Sequence, residues 1–276
     1  MKLVILTAFT LLAFAANSLL CRMALGPGLI DPVSFTTIRL TSGALALLPF
    51  VQRRSGSWIS GAVMFGYAIA FSLSYVSLST GMGALILFGT VQVTMIGTAM
   101  KSGERLSALQ WLGLIAAIGG LTHLVLPGLS APDPKGALLM TVAGLGWGVY
   151  SIMGRGAGNP VAMTAGNFLR AAPLALVASL IARDSVHWET TGVMLALTSG
   201  VVTSGLGYVL WYAALRSLTT TQASLVQLLV PVLAAFAGVV FLSEDVSARL
   251  VIASALILGG VGVAIARRKP IAIPRG

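Results

Sequence analysis

The sequence predicts an all-α polytopic membrane protein with ten transmembrane helices in a five-plus-five inverted repeat. Three observations carry this reading: the composition, ten apolar stretches joined by short polar punctuation, and an internal match between the two halves. Of 276 residues, 57% are hydrophobic and 9% charged, with a mean hydropathy of +0.96. Such values leave a water-soluble domain without a polar surface. A helix rises 1.5 Å per residue and a hydrocarbon core is about 30 Å thick, so a crossing takes roughly 20 residues. Ten crossings leave no room for a soluble catalytic domain.

The first span, residues 4–24, follows a start (MKLVILTAFTLLAFA) with the short basic and apolar parts of a signal peptide and small residues at Ala13 and Ala15. The apolar stretch runs on past them and pairs with a later segment, so the span is read as a retained helix. Gly26-Pro27-Gly28 ends it. Spans follow at 32–51, 58–78, 82–100 and 107–126, with Arg53-Arg54-Ser55-Gly56 and Lys101-Ser102-Gly103-Glu104-Arg105 among the punctuation. The stretch from Pro127 to Pro134 is the linker that reads as a domain boundary. Behind it lie spans at 136–155, 161–182, 191–215, 221–241 and 248–266, which gives one repeat over 1–126 and another over 136–267.

Lysine and arginine resist translocation and stay on the cytoplasmic face. With the N-terminus inside, eleven fall on inner segments and four, Arg22, Lys135, Arg183 and Arg249, on outer ones. Both termini are therefore expected in the cytoplasm and the protein in the cell inner membrane. The net charge of +10 does not imply a nucleic-acid partner, because the basic residues sit at helix ends rather than in a patch with interleaved aromatics. The lipid bilayer is the partner that composition implies.

Residues 71–126 overlay 211–266 without gaps at a shift of 140. Ser77-Leu78-Ser79-Thr80 meets Ser217-Leu218-Thr219-Thr220, Glu104 meets Glu244, and Gly119-Gly120 meets Gly259-Gly260. Upstream, with small gaps, Ser18 and Arg22 meet Ser151 and Arg155, Pro32 meets Pro160, and Arg39 meets Arg170. Five helices per unit is an odd number, so the second copy enters the membrane in the opposite sense. Inverted repeats of this kind underlie alternating access.

These residues carry a family resemblance: Asp31-Pro32 followed by Arg39, Gly103-Glu104-Arg105-Leu106-Ser107 before the fifth span, Gly144-Leu145-Gly146-Trp147-Gly148 in the sixth, and Pro231 with Ser243-Glu244-Asp245 around the ninth. In their order and duplication they resemble the drug/metabolite transporter superfamily, namely its ten-helix exporters with two EamA-type domains, over about residues 4–267. The resemblance implies a secondary transporter that exports small metabolites, amino acids being a common substrate class, through a cavity lined by helices 1, 3, 4, 6, 8 and 9. Within the family the chain is most similar to the amino-acid exporters. Val91 stands at the first-half position matching Pro231, a departure from the family's pattern.

Polar stripes inside spans mark candidate cavity walls, since a mid-span polar group must face water or a partner helix. On the ninth span Thr220, Ser224, Gln227 and Pro231 share a face. Gln227 both donates and accepts hydrogen bonds, which suits an amino acid and equally suits interhelical contact. Pro231 is the hinge candidate. Trp147 and Ser151 lie in a similar stripe on the sixth span, and Phe14 and Asn17 in one on the first. The third and eighth spans offer Tyr67, Phe71, Tyr75, Tyr208 and Trp211, rings able to shape a pocket, and the fourth Gln92. The expected substrate-binding set is thus Asn17, Phe71, Tyr75, Gln92, Trp147, Ser151, Tyr208, Trp211, Ser224 and Gln227.

No Asp or Glu lies in mid-span. Glu104 and Glu244 are expected to cap the N-termini of the helices that follow them. Arg39 and Arg170, the deepest charges, are expected to snorkel or bind carbonyls between helices rather than hold a substrate carboxylate. The paired glycines at 119–120 and 259–260 allow close approach either within the monomer or across a homodimer. The single Cys21 and the lack of metal-ligand spacing imply neither cofactor nor metal. An enzyme is disfavoured, because HExxH, GxSxG and paired aspartates are all missing from the sequence. A multidrug or cation exporter of the same fold, which calls for an acidic residue facing the site, is the alternative. A channel or a lipid scramblase is the alternative from a different class.

Overall fold

In a computed structural model of the chain, the described residues are 2–52, 54–101, 108–126, 131–154, 158–218, 223 and 226–266. They form ten principal helices: α1 (Lys2–Leu25), α2 (Pro32–Leu47), α3 (Trp58–Ser74), α4 (Thr80–Lys101), α5 (Ala108–Val125), α6 (Pro134–Met153), α7 (Pro160–Ile181), α8 (Thr190–Leu215), α9 (Leu229–Leu242) and α10 (Ala248–Ala266). Six of them, α1, α2 extended by a 3-10 turn to Phe50, α4, α6, α7 and α8, are long and apolar enough to cross a bilayer. The others carry apolar helices of 10–17 residues, so the third span ends at Ser74 rather than at 78.

Local sequence explains the helix starts. Asp31 caps α2, its Oδ1 accepting from the N–H groups of Val33 and Ser34 at 3.0 and 2.9 Å, with Pro32 in the first turn. Asn159 and Pro160 repeat this at the start of α7, where Asn159 Oδ1 accepts from Val161 and Ala162. Proline lacks the N–H that a first turn leaves unpaired and has its φ preset for a helix, so cap and proline together fix where each helix begins. Asp133 caps α6 and Ser57 caps α3 in the same way.

The connections α1–α2, α3–α4, α5–α6, α7–α8 and α9–α10 meet at one end of the bundle. Arg22 at the end of α1 lies 3.5 Å from Glu244 after α9 and donates to the carbonyls of Tyr75 and Val76 after α3. Ser77 donates to Asp133, the Asp31 N–H donates to the carbonyl of His187 while its Oδ2 accepts from the His187 N–H, and Arg249 reaches the carbonyl of Leu126. α6 therefore begins at the end where α1 finishes, and the second half runs in the opposite sense to the first.

Helix partners are unchanged when the halves are exchanged. α2 packs on α7, α4 on α9 and α5 on α10, while α3 with α6 is mirrored by α8 with α1, and α4 with α6 by α9 with α1. Gly120 and Gly260 face the α5–α10 contact, where a side chain at either would strike the partner helix, whereas Gly119 and Gly259 face open space. Close packing within the chain accounts for one glycine of each pair. Large exposed apolar side chains such as Phe9, Leu12, Ile115, Leu180, Val201 and Phe236 cover the outside. In a bilayer this is the lipid-facing surface.

One departure from regular helix was not expected from the sequence. Ser199–Leu206, in the middle of α8, is a π-helix. Such wide turns are rare and collect at functional sites. Gly200 here brings the α8 backbone against the carbonyl of Arg39 on α2.

Candidate functional site

Buried rings from both halves meet at the centre of the bundle. Phe14 of α1 stands edge-on to Trp147 of α6 at 5.3 Å between centroids, and Trp147 lies 5.2 Å from Tyr67 of α3 and 4.8 Å from Tyr208 of α8. Between them is a cavity whose wall includes these four rings together with Asn17, Ser18 and Phe71; Leu87 and Phe88 of α4 complete it. Its free volume is about 10 Å³, room for one water. Pockets that hold a small-molecule ligand are on the order of 300 Å³ or more, so the cavity as it stands is too small for one.

Polar groups around the cavity are held by the π segment. Asn17 Oδ1 accepts from Ser199 Oγ at 2.7 Å and from Thr203 Oγ1 at 3.0 Å. Ser204 Oγ accepts from Nε of Arg39 at 2.8 Å, and the Tyr208 hydroxyl accepts from its Nη2, also at 2.8 Å. The same Nη2 lies 3.4 Å from the hydroxyl of Tyr67. The Arg39 guanidinium also sits over the faces of Tyr67 and Phe71, 5.6 and 5.2 Å from their centroids. Arg39 is 0% exposed, and among the described residues no carboxylate is in ion-pair contact with it.

Of the residues singled out in the sequence, Asn17, Phe71, Trp147 and Tyr208 are part of the cavity wall. Trp211 is one ring behind it, 5.7 Å from Phe14, and Tyr75 stacks behind Phe71 at 4.8 Å. Ser151 and Gln92 are buried on α6 and α4 away from the wall. Gln227 also stands behind the wall: its Oε1 accepts from Nε1 of Trp147 at 3.2 Å and its Nε2 donates to the carbonyl of Ala223. Pro231 lies in the first turn of α9, and the helical run is broken at Leu228 just upstream. A proline ring clashes with the carbonyl four residues back, which accounts for a break at that point. Ser224 and Glu104 lie outside the described residues.

Two expectations are corrected. Glu244 caps a helix, but not the one that follows it: its carboxylate accepts from the N–H of Thr80 at 2.8 and 2.9 Å and from the Thr80 hydroxyl, at the start of α4. Ser247, nearer in sequence, takes the cap of α10 through the N–H of Leu250. Arg39 neither snorkels nor binds a carbonyl, because its neighbours across the bundle are hydroxyls and rings. Arg170 does behave as expected, with Nη1 donating to the carbonyls of Ser55 and Gly166 at 2.8 and 2.7 Å. The expected substrate-binding set omits Arg39 and also Tyr67, which the sequence marks only as one of the rings of the third span able to shape a pocket. The signal for both was present, a charge and a phenol deep inside their spans.

Comparison with known proteins agrees with this architecture. Residues 134–266 match the EamA-like transporter family. The chain is 48% identical over 274 residues to the uncharacterized protein PA1977 of Pseudomonas aeruginosa, covering 97% of this chain and 96% of that one. It is 26% identical over 257 residues to the threonine/homoserine exporter RhtA of Escherichia coli K12, covering 87% and 84%. The uncharacterized transporter YoaV of Bacillus subtilis is 25% identical over 84% of this chain and 86% of its own. One crystal structure of a protein with 21% identity shares the fold at a TM-score of 0.70, over 97% of this chain and 99% of that one. With ten packed helices, an apolar exterior and a polar, ring-lined centre, the chain belongs to the EamA-like transporter family and is a multi-pass membrane protein.

Proposed function

We propose that the protein is a secondary transporter that exports amino acids or similar small metabolites across the inner membrane by alternating access. The observation that carries this reading is the central cavity, built from α1, α3, α4, α6 and α8, so that both halves contribute to one closed chamber of rings and neutral hydrogen bonders. The repeats are 1–126 and 136–267, and exchanging their roles opens the chamber to one side and then the other. Both termini lie in the cytoplasm, as the distribution of Lys and Arg requires. The break at Leu228, below Pro231, gives α9 a place to bend. Membership of a transporter family and a likeness to a threonine/homoserine exporter support the substrate class.

A cation or multidrug exporter is disfavoured by a specific feature: among the described residues the chamber wall carries no acidic side chain to balance a lone cation, and the charge behind it is Arg39. Counterflow in proteoliposomes tests the proposal. Vesicles preloaded with unlabelled threonine, homoserine or another amino acid should transiently accumulate the labelled compound above equilibrium. Simple equilibration that is indifferent to the preload indicates a channel, and movement of labelled lipid alone a scramblase; either overturns the reading.

A further inference from the structure

We infer that Arg39 is the receptor for a carboxylate on the transported molecule, docked at its free Nη1; the inference rests on the transport reading above. A guanidinium carries five N–H donors. Nε serves Ser204 and Nη2 serves Tyr208 and Tyr67, whereas Nη1 is buried and has no hydrogen-bond partner among the described residues. An unpaired cation inside a membrane protein is costly, and such charges line substrate pathways or meet partners. Here hydroxyls and ring faces supply partial compensation, and a counter-charge is missing among the described residues.

The matched position of the other half shows what a structural arginine looks like in this fold. Arg170 turns its Nη1 onto two backbone carbonyls, which ties α7 to the α2–α3 connection. Arg39, at the equivalent place, makes no carbonyl contact and keeps that nitrogen unused. Its holders are also cavity wall: Tyr67, Phe71 and Tyr208 each touch both the guanidinium and the chamber. A ligand in the widened chamber is thus one side chain away from two unused donors. Either one can give a carboxylate oxygen a charge-assisted hydrogen bond. The remaining wall suits an ammonium, since Trp147 and Tyr208 offer ring faces and Asn17 a carbonyl oxygen. The substrate class is therefore a small carboxylate, with an α-amino acid filling both ends.

Thermal unfolding of the purified full-length protein in detergent tests this with a panel of amino acids, each compared with its carboxamide and its decarboxylated amine. At least one amino acid should raise the melting temperature, and its amide and amine should bind about tenfold more weakly or worse. Arg39→Lys keeps the charge but loses the fixed guanidinium plane that Ser204 and Tyr208 hold, and should weaken binding on the order of tenfold, and Arg39→Met should abolish it. The amide comparison uses wild-type protein, so it stands even if the variants do not fold. An amide that binds as well as its acid, stabilisation by inorganic phosphate but by no carboxylate, or unchanged binding in Arg39→Met overturns the proposal. Successful counterflow with wild type alongside any of these results removes the role of Arg39 and leaves the transport reading standing; absent counterflow with every probe removes the transport reading itself.

Discussion

Nε1 of Trp147 donates to Oε1 of Gln227 at 3.2 Å, so a side chain of the chamber wall on α6 is fixed from behind by the segment that leads into α9. Trp147→Phe keeps a ring but leaves the buried Gln227 oxygen without this donor, a loss of about 1–3 kcal/mol. Trp147→Ala also removes the ring contacts with Phe14, Tyr67 and Tyr208, on the order of 3–5 kcal/mol. Thermal unfolding should rank wild type above Phe above Ala, and transport assays should show the Phe variant retaining part of the activity that Ala loses. Equal transport by wild type and Trp147→Ala would remove this residue from the site.

Glu244 joins α1, α4 and α9 at one end of the bundle through Arg22 and Thr80. Glu244→Gln weakens both a charge-assisted cap and a partly exposed ion pair, together on the order of 1 kcal/mol. With this end loosened, chamber residues should react faster with water-soluble thiol reagents after cysteine substitution. A double-mutant cycle with Arg22→Gln should show a coupling of about 0.5 kcal/mol or more.

Asn17 gathers Ser199 and Thr203 of the π segment onto one carbonyl oxygen. Asn17→Ala takes the acceptor from the buried Ser199 hydroxyl, while Thr203 keeps its bond to the carbonyl of Ser199. Asn17→Asp keeps an acceptor but places a negative charge in the chamber wall. Transport should fall in both. Asn17→Asp should lose affinity for carboxylate substrates in particular, which a competition assay against amines measures.

Much of this fold is legible in the sequence because its signals are local. Asp31-Pro32 and Asn159-Pro160 start helices by bonds to residues two or three positions away, and apolar runs mark the helix bodies. Mid-span rings divide between lipid and interior, as exposed Phe9 and Phe236 show, but Trp147 shares its helix face with Ser151 and Tyr208 with Ser204, and those polar neighbours mark the inward face. What escaped depends on partners distant in sequence. Glu244 bonds Thr80, 164 residues away, and Arg39 bonds Tyr208, 169 away. A helical face can be read from periodicity, but the neighbour it meets cannot. The π segment left no local mark beyond a concentration of glycines at 200, 205 and 207.

The glycine pairs separate two packing roles. Gly120→Leu should clash with Leu256 and Ile257 and lower stability by about 1–3 kcal/mol, while Gly119→Leu, with open space around it, should be neutral in a monomer. Unfolding curves together with the mass of the detergent-solubilised particle distinguish the cases. A fall in particle mass caused only by Gly119→Leu would place a homodimer contact on that face.

Alternating access requires one chamber reached from both sides in turn. Ser18, on its wall, is replaced by cysteine in a Cys21→Ser background and labelled in oriented vesicles with a membrane-impermeant thiol reagent applied from either face. Labelling should occur from both faces, with substrate shifting the balance between them. Reaction from one face alone, unchanged by any substrate, would contradict it.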